Sequence, residues 1–387
     1  MKPRGSTSSL RVLVSPAPFK GTLTAAEAAD AIAQGVRSAL PQAKVELCPI
    51  ADGGEGTVEA IASASKGAKV HTVIVHNPLG KKTKAKFLVL PENRALIEMA
   101  EASGLLLVPE NERSPLLATT FGTGQLILAA LDAGCTNFII GIGGSATNDG
   151  GAGMAQALGV KFFDGKGKEI SVRREEGYCA ASLENLARID ASGIDPRIAR
   201  CKFTVACDVT NPLCGEHGAS VIYGPQKGAT HEMVKQMDAA LRNYAAVLKR
   251  DIGIDVIDMQ GAGAAGGLGA GLFAFLGAEF EHGADLVMEI TGFEKKLAEC
   301  DIVITGEGCI DSQTCRGKAV ARVALLARRH GKRAVAIGGK LGQGHKDVLA
   351  LGISAVGACS KGTSGKLVKK KCFLDLKNKT AEMMRGM

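Results

Sequence analysis

A glycine-rich segment, residues 141–153, carries the residue types best suited to chemistry. It follows the apolar run 138–140 and leads into residues 154–158, whose composition favours a helix. A strand that enters a glycine turn at a helix start directs several backbone N–H groups, and the positive end of the helix dipole, at one place. The polar side chains of this turn are those of Ser145, Thr147, Asn148 and Asp149. The segment therefore predicts a phosphate site with a metal ion close by.

Six further segments share this character, a turn of small residues that holds one or two polar groups. They are residues 19–22, 51–57, 119–124, 208–213, 224–228 and 305–314. Several follow strand-like runs, and open α/β sheets bind their ligands at the carboxyl ends of strands. We therefore expect these turns to supply much of a binding site.

Carboxylates and lysines recur in these turns. The carboxylates are those of Asp52, Glu55, Asp149, Asp208, Glu307 and Asp311. They could hold Mg²⁺ or accept a proton from a substrate hydroxyl. Lys20 and Lys227 could neutralise phosphate oxygens. Phosphoryl transfer needs in-line positioning, a divalent ion and cations that meet the spreading charge. For each carboxylate a helix cap or turn anchor stays an alternative, because Asp and Glu favour those positions.

Other nucleotide and metal chemistries have weaker support. Residues 261–266 match the dinucleotide pattern G-x-G-x-x-G and residues 141–146 match its variant, but neither lies in an N-terminal βαβ unit. The sequence contains no G-x-x-x-x-G-K-[ST] loop and no protein-kinase signature. The seven histidines fall outside the acid-bearing turns, which argues against a histidine-rich metal centre.

Composition favours an intracellular α/β enzyme of two domains. The 387 residues exceed what one core usually serves, and 46% are hydrophobic while only 4% are aromatic. The 11 cysteines include no C-x-x-C pair and the polar N-terminus lacks a signal peptide, so we expect a reduced, cytoplasmic protein. Residues 361–387 carry eight Lys or Arg against two acids and supply +6 of the net +8. We interpret them as a solvated face and expect no nucleic-acid or membrane partner.

Alternating strands and helices at both chain ends predict a parallel α/β domain. Its predicted strands are 11–14, 45–50, 301–305 and 334–337, and its predicted helices are 24–40, 57–64, 318–330 and 346–351. The first long helix opens with a capping box formed by Thr24 and Glu27. Three consecutive strand-like runs, at 70–75, 84–90 and 94–99, predict an antiparallel or mixed sheet instead. The sequence thus predicts a discontinuous domain of residues 10–69 plus 293–387 and an inserted mixed α/β domain of residues 70–292.

The turns also carry a family resemblance. In residues 19–24, 51–57, 141–153, 208–213, 224–229, 261–271 and 305–314, in that order, the chain resembles the bacterial-type glycerate kinase family, which phosphorylates D-glycerate with ATP. The resemblance implies a flavodoxin-like parallel three-layer domain formed by both chain ends and an inserted mixed α/β domain. It also implies ATP with Mg²⁺, glycerate in the cleft between the domains, and 2-phosphoglycerate as the usual product.

The motifs and the resemblance together give a predicted site. The catalytic candidates are Lys20, Asp208, Lys227 and Asp311. The candidate contacts with substrate or phosphate are Asp52, Gly53, Gly54, Gly143, Gly144, Ser145, Asn148, Asp149, Asn211, Gln226 and Glu307. Asp149 and Asp208 are the candidate metal ligands.

The chain departs from the family pattern in three places. Ala17 and Pro18 stand where Asp-Ser is usual, Cys309 stands where Arg is usual, and the lysine-rich tail from Lys361 is unlike the usual closing helix. Other functions therefore stay open: a 3-phosphoglycerate-forming activity, a kinase of another small hydroxy or sugar acid, and an inactive member that acts as a binding protein. The retained acids and Lys227 weigh against an inactive member.

Overall fold

The structure, a computed structural model, describes residues 9–19, 21–51, 56–65, 67–170, 180–315, 319–359 and 368–386. The strands are β1 (Arg11–Val14), β2 (Lys44–Leu47), β3 (Lys69–His76), β4 (Lys82–Leu90), β5 (Arg94–Glu98), β6 (Asn137–Gly141), β7 (Lys161–Asp164), β8 (Leu186–Asp190), β9 (Lys202–Ala206), β10 (Glu279–Glu281), β11 (Ile302–Ile310), β12 (Arg333–Leu341) and β13 (Ile353–Ala358). The α-helices are α1 (Ala25–Ala39), α2 (Thr57–Ala64), α3 (Ala100–Ser103), α4 (Phe121–Asp132), α5 (Ala152–Ala157), α6 (Ala219–Tyr223), α7 (His231–Asp251), α8 (Leu268–Leu276), α9 (Gly283–Thr291), α10 (Phe293–Glu299), α11 (Ala319–Arg329) and α12 (Val368–Arg385).

The chain divides into two compact units. The first contains β1, α1 and β2 together with the chain from Ala284 onward, and Gly67–Gly283 forms the main part of the second. Among the described residues, no helix has both the length and the apolar character needed to cross a membrane.

The first unit is built on a parallel sheet with flavodoxin-like order. Its strands lie in the order β2-β1-β11-β12-β13, and every neighbouring pair is parallel. Numbered along the chain, this is the 2-1-3-4-5 order of flavodoxin-like folds, whose ligand crevice opens where the strand order reverses, here between β1 and β11. Val12, Val14, Ile304 and Val335 pack on one face against α1 and α12, while α11 contacts β11 and β12. The predicted flavodoxin-like fold is confirmed.

The predicted helix starts and ends of this unit are largely confirmed. The capping box of α1 is present, because Thr24 Oγ1 accepts from the Glu27 N–H at 3.2 Å and the Glu27 carboxylate accepts from the Thr24 N–H at 3.0 Å. The helix predicted at 346–351 is wrong in type, since His345–Leu351 forms a 3-10 helix. Gly344 and Gly352 flank this segment, and both have positive φ. A residue in that conformation ends a helix, so the segment stays seven residues long.

The second unit holds the mixed sheet that the consecutive strand-like runs predicted. Its strands lie in the order β10-β9-β6-β5-β4-β3. β3, β4 and β5 pair antiparallel, whereas β5, β6, β9 and β10 pair parallel. Phe138 and Phe203 stack at a centroid distance of 4.7 Å between the central strands. The four parallel strands end together, so the segments that follow them gather at one edge of the sheet.

Candidate active site

Three consecutive residues of the glycine turn after β6 are each bound to a different element. The carbonyl oxygen of Thr147 accepts from the ammonium group of Lys227 at 2.7 Å. The side-chain amide of Asn148 donates to Ser220 Oγ in α6 at 2.9 Å. The carboxylate of Asp149 accepts from the Thr120 N–H, just before α4, at 2.8 Å. All three turn residues are fully buried, so contacts with residues distant in sequence hold the turn in place from the protein interior.

Asp149 joins the starts of two helices. Besides the Thr120 N–H, its carboxylate accepts from the Thr120 hydroxyl at 2.9 Å and from the backbone N–H groups of Gly151 and Gly153 at the start of α5. Burial raises the pKa of this carboxyl, and the hydrogen bonds from Thr120 and the two glycines offset part of that rise. Its full burial and its contacts favour a turn anchor. The metal-ligand role stays a prediction.

Lys227 is a buried lysine and is 1% exposed. It ends the short 3-10 helix Pro225–Lys227, which Gly228 terminates with a φ of +92°. Burial lowers the pKa of its ammonium group to about 7, and the nearby Asp149 carboxylate opposes that shift. The preceding residue, Gln226, is exposed. The side chain of Lys227 points into the protein and contacts the glycine turn through the carbonyl oxygen of Thr147.

A second glycine loop presses on the same turn. Ala265, Gly266 and Gly267 all have positive φ, at 53°, 70° and 88°. A Cβ on Gly266 would overlap the carbonyl oxygen of Thr147, and one on Gly267 would lie 2.8 Å from the Cα of Gly150. Only glycine permits this approach, which explains the glycine-rich composition of the stretch that resembles a dinucleotide fingerprint.

Gly143, Gly144 and Ser145, the predicted phosphate contacts at the start of the turn, are held by the segment after β5. Gly143 is half-buried, Gly144 is exposed with a φ of +76°, and Ser145 is 8% exposed. The Leu105 N–H donates to the carbonyl oxygen of Gly144 at 2.8 Å. The backbone of this part of the turn is thus positioned at the edge of the sheet beside α3.

Asp208 and Asn211 lie in the neighbouring turn, which follows β9. One carboxylate oxygen of Asp208 accepts from the Gly283 N–H at 3.1 Å and lies 3.3 Å from Nδ1 of His282. The Asp208 side chain is 43% exposed, so solvent reaches it as it does not reach Asp149. The side chain of Asn211 donates to the carbonyl oxygen of His217 at 2.8 Å and accepts from the Tyr223 hydroxyl at 2.6 Å. Asn211 therefore links the start of this loop to His217 and to Tyr223 in α6.

The prediction missed a buried carboxylate at the same edge. Glu98, the last residue of β5, is 3% exposed and accepts from the backbone N–H groups of Gly56, at 3.2 Å, and of Val58, at the start of α2. Asp52, Gly53 and Gly54, which immediately precede this contact, lie outside the described residues. The available signal for Glu98 was an acidic residue directly after the apolar run 95–97 at the end of a strand.

In the first unit, two predicted motifs meet where the strand order reverses. The segment after β1 runs beside β11, with the Ser15 and Ala17 N–H groups donating to the carbonyl oxygens of Ile304 and Gly306 at 2.7 and 2.8 Å. A Cβ on Gly306 would lie 3.4 Å from the Phe19 ring. The switch point therefore joins the 19–22 motif to the 305–314 motif. Lys20 itself lies outside the described residues.

Thr314 links the two predicted acids of this motif. Its buried hydroxyl donates to Glu307 Oε1 at 2.6 Å and accepts from the Asp311 N–H at 3.0 Å. Glu307 and Asp311 are both half-buried. The described site candidates thus form three groups. The second unit holds the glycine turn with Lys227 and, separately, the Asp208 turn, and the first unit holds the pair Glu307 and Asp311. No group of three or more His, Cys, Asp or Glu side chains within the described ranges is placed to hold a metal ion.

Comparison with known proteins identifies the family. Residues 12–384 match the Glycerate kinase family. The chain belongs to the glycerate kinase family. It is 49% identical over 348 residues to "Glycerate 2-kinase" of Escherichia coli K12, which covers 90% of each chain. It is 48% identical to "Glycerate kinase" of Halalkalibacterium halodurans, over 89% of each. A solved structure of a putative glycerate kinase 2 from Salmonella typhimurium LT2 superposes with a TM-score of 0.86 at 44% identity and covers 98% of both chains.

Membership of the glycerate kinase family makes this chain a phosphotransferase and gives context to its departures. Cys309 lies within the 305–314 motif, its thiol is 3.5 Å from Asp311 Oδ2, and burial raises the pKa of that thiol. In strand register Cys309 lies opposite Lys340 on β12. The lysine Lys340 therefore adjoins the position where this chain has cysteine in place of the usual arginine.

Proposed function

We propose that the protein transfers the γ-phosphoryl group of ATP to the 2-hydroxyl of D-glycerate, giving 2-phospho-D-glycerate and ADP. The observation that carries the proposal is the 49% identity, over 90% of both chains, to a protein named glycerate 2-kinase. The geometry agrees with this reaction, since both units present small-residue turns with carboxylates at the carboxyl edges of parallel strands.

The glycine turn at 141–153 is proposed to bind an anionic group of a substrate. Residues 143–145 offer backbone contacts to that group. Lys227, Ser220 and Thr120 hold the next part of the turn, residues 147–149, in place. Such preorganised donors act strongly because they need no rearrangement when charge develops. Lys227 acts here by positioning the turn. Lys20 is proposed to contact phosphate directly.

Asp208 and Asp311 are the partly exposed carboxylates among the catalytic candidates. Mg²⁺ retains several waters and usually binds one or two protein carboxylates together with substrate phosphates, and the solvent-exposed carboxylate of Asp208 fits that preference. When bound, the ion neutralises charge on the phosphates. Asp311 is proposed to accept the proton of the attacking hydroxyl. Oxygen attack on the γ-phosphorus then breaks its bond to the ADP oxygen.

The position of phosphorylation is the sharpest test. The purified protein is supplied with ATP, Mg²⁺ and D-glycerate, and the product is identified by phosphorus NMR. In parallel, enolase and pyruvate kinase are added without phosphoglycerate mutase, and pyruvate is compared with total ADP formed. 2-Phosphoglycerate feeds enolase directly, so we expect pyruvate without mutase.

Other outcomes separate the alternatives. Pyruvate that forms only after mutase is added would show 3-phosphorylation and overturn the product assignment. ADP formation with another hydroxy acid but not with glycerate would overturn the substrate, and no turnover with any such acid would overturn the activity.

A further inference from the structure

The start of α12 lies beside the switch point of the first unit. Lys369 Nζ is 2.7 Å from a carboxylate oxygen of Glu27, the residue that completes the capping box of α1. Burial raises the pKa of the Cys372 thiol, and a hydrogen bond with Thr22 opposes that rise. Farther along, a Cβ on Gly35 would overlap the backbone of Lys377. α1 and α12 thus run side by side, and the first turn of α12 adjoins the 19–22 motif.

This turn concentrates exposed positive charge. Lys369, Lys370 and Lys371 are consecutive and exposed. Glu27 balances Lys369, whereas no ion pair to Lys370 or Lys371 occurs within the part of the chain that the structure describes. Asp375, one helical turn beyond Lys371, is half-buried. The charge therefore projects into solvent at the carboxyl edge of the parallel sheet.

A nucleoside triphosphate carries several negative charges, which a cluster of exposed lysines attracts. We infer that the first turn of α12 is a steering surface that draws the triphosphate toward the switch point between β1 and β11. The inference rests on the proposed function for its substrate. Charges that line an approach path raise association rates by tenfold or more without touching the bound ligand, and salt weakens them. The surface would therefore act on nucleotide association and leave the chemical step unchanged.

The test compares two double variants of the same helix. K370Q/K371Q removes two charges from the first turn, and K377Q/R385Q removes two charges farther along α12. Stopped-flow association of a fluorescent ATP analogue is measured from about 0.01 to 1 M ionic strength, over which the screening length falls from about 30 to about 3 Å. We expect K370Q/K371Q to lower the association rate constant about threefold or more at low salt and to match the wild type at high salt.

Equal slowing by K377Q/R385Q would mean that only net charge matters and would overturn the inference. An unchanged rate constant in K370Q/K371Q at low salt would also overturn it. Turnover of glycerate is measured alongside. If the wild type is active while the two variants associate like it, the inference fails and the proposed function stands. If glycerate is not turned over, the nucleotide measurement still decides the inference.

Discussion

Lys227 donates a 2.7 Å hydrogen bond to the carbonyl oxygen of Thr147, a residue 80 positions earlier in the chain. Gly266 packs against that same oxygen. The glycine turn is therefore supported by an interior contact between a buried lysine and a backbone carbonyl, and the loop that contains Gly266 packs against the same carbonyl. Lys227 therefore contacts the backbone of the glycine turn from the protein interior.

The buried Lys227 predicts a pH-dependent stability. Its pKa is about 7 in the folded protein and 10.5 for an ordinary lysine, so between these values the unfolded chain binds a proton that the folded protein does not. The free energy of unfolding should therefore rise with pH in this window, by up to about 1.4 kcal/mol per pH unit from this residue. Below about pH 7 the full cost of the buried charge is present.

Lys227→Met removes this contribution while keeping a long side chain. Urea unfolding at pH 6, 7, 8 and 9 should show the wild type gaining on the variant as pH rises. Lys235→Met, at an exposed site on α7, controls for the loss of a lysine charge. A constant difference between wild type and Lys227→Met across this range would contradict the prediction.

Asp149→Asn separates a turn anchor from a metal ligand. The amide cannot accept all the hydrogen bonds that the carboxylate receives from Thr120, Gly151 and Gly153, so we expect the free energy of unfolding to fall by about 2–3 kcal/mol. The Mg²⁺ concentration for half-maximal activity should stay unchanged in the folded fraction. A large increase in that concentration with normal stability would instead make Asp149 a ligand.

Asp208→Asn should give the reverse pattern. Because the side chain is 43% exposed, we expect the free energy of unfolding to change by less than about 0.5 kcal/mol. Turnover should fall about 10²-fold at ordinary Mg²⁺ and recover in part at high Mg²⁺. Asp255→Asn, at a site 47% exposed and paired with Lys249, is the matched control and should keep its turnover. A loss that high Mg²⁺ does not relieve would favour Asp208 as proton acceptor.

Gly266→Ala tests the close approach of the two glycine loops. Gly277 has a similar φ, +61° against +70°, but open space where a Cβ would point. Gly277→Ala should therefore cost only the left-handed strain, about 1–2 kcal/mol. Gly266→Ala should cost about 1–3 kcal/mol more, because the methyl group displaces Thr147, and should lower turnover as well. Equal losses of stability in the two variants would show that the packing contact is unimportant.

The sequence predicted local structure well where neighbouring residues determine it. The capping box of Thr24 and Glu27, the strand at Arg11–Val14 and the helix at Thr57–Ala64 all follow from short-range patterns. The glycine turn was located by the same reasoning. Its internal support was not, because the contacts of Asn148 with Ser220 and of Thr147 with Lys227 span 72 and 80 positions. The burial of Asp149 and Lys227 depends on such contacts, and so no local pattern separates an anchor from a ligand.

The central position of β1 has a consequence for synthesis on the ribosome. Arg11, at the start of β1, hydrogen-bonds to Asp301, 290 positions later, and β11 follows directly. The ribosome adds about 5–20 residues per second, so roughly 15–60 s pass between the synthesis of β1 and that of its partner. Every strand of the six-stranded sheet has by then left the synthesis site. The nascent chain can therefore complete the sheet of its second unit first, while the strand at the centre of the other sheet keeps an unpaired edge until nearly the last quarter of the protein emerges.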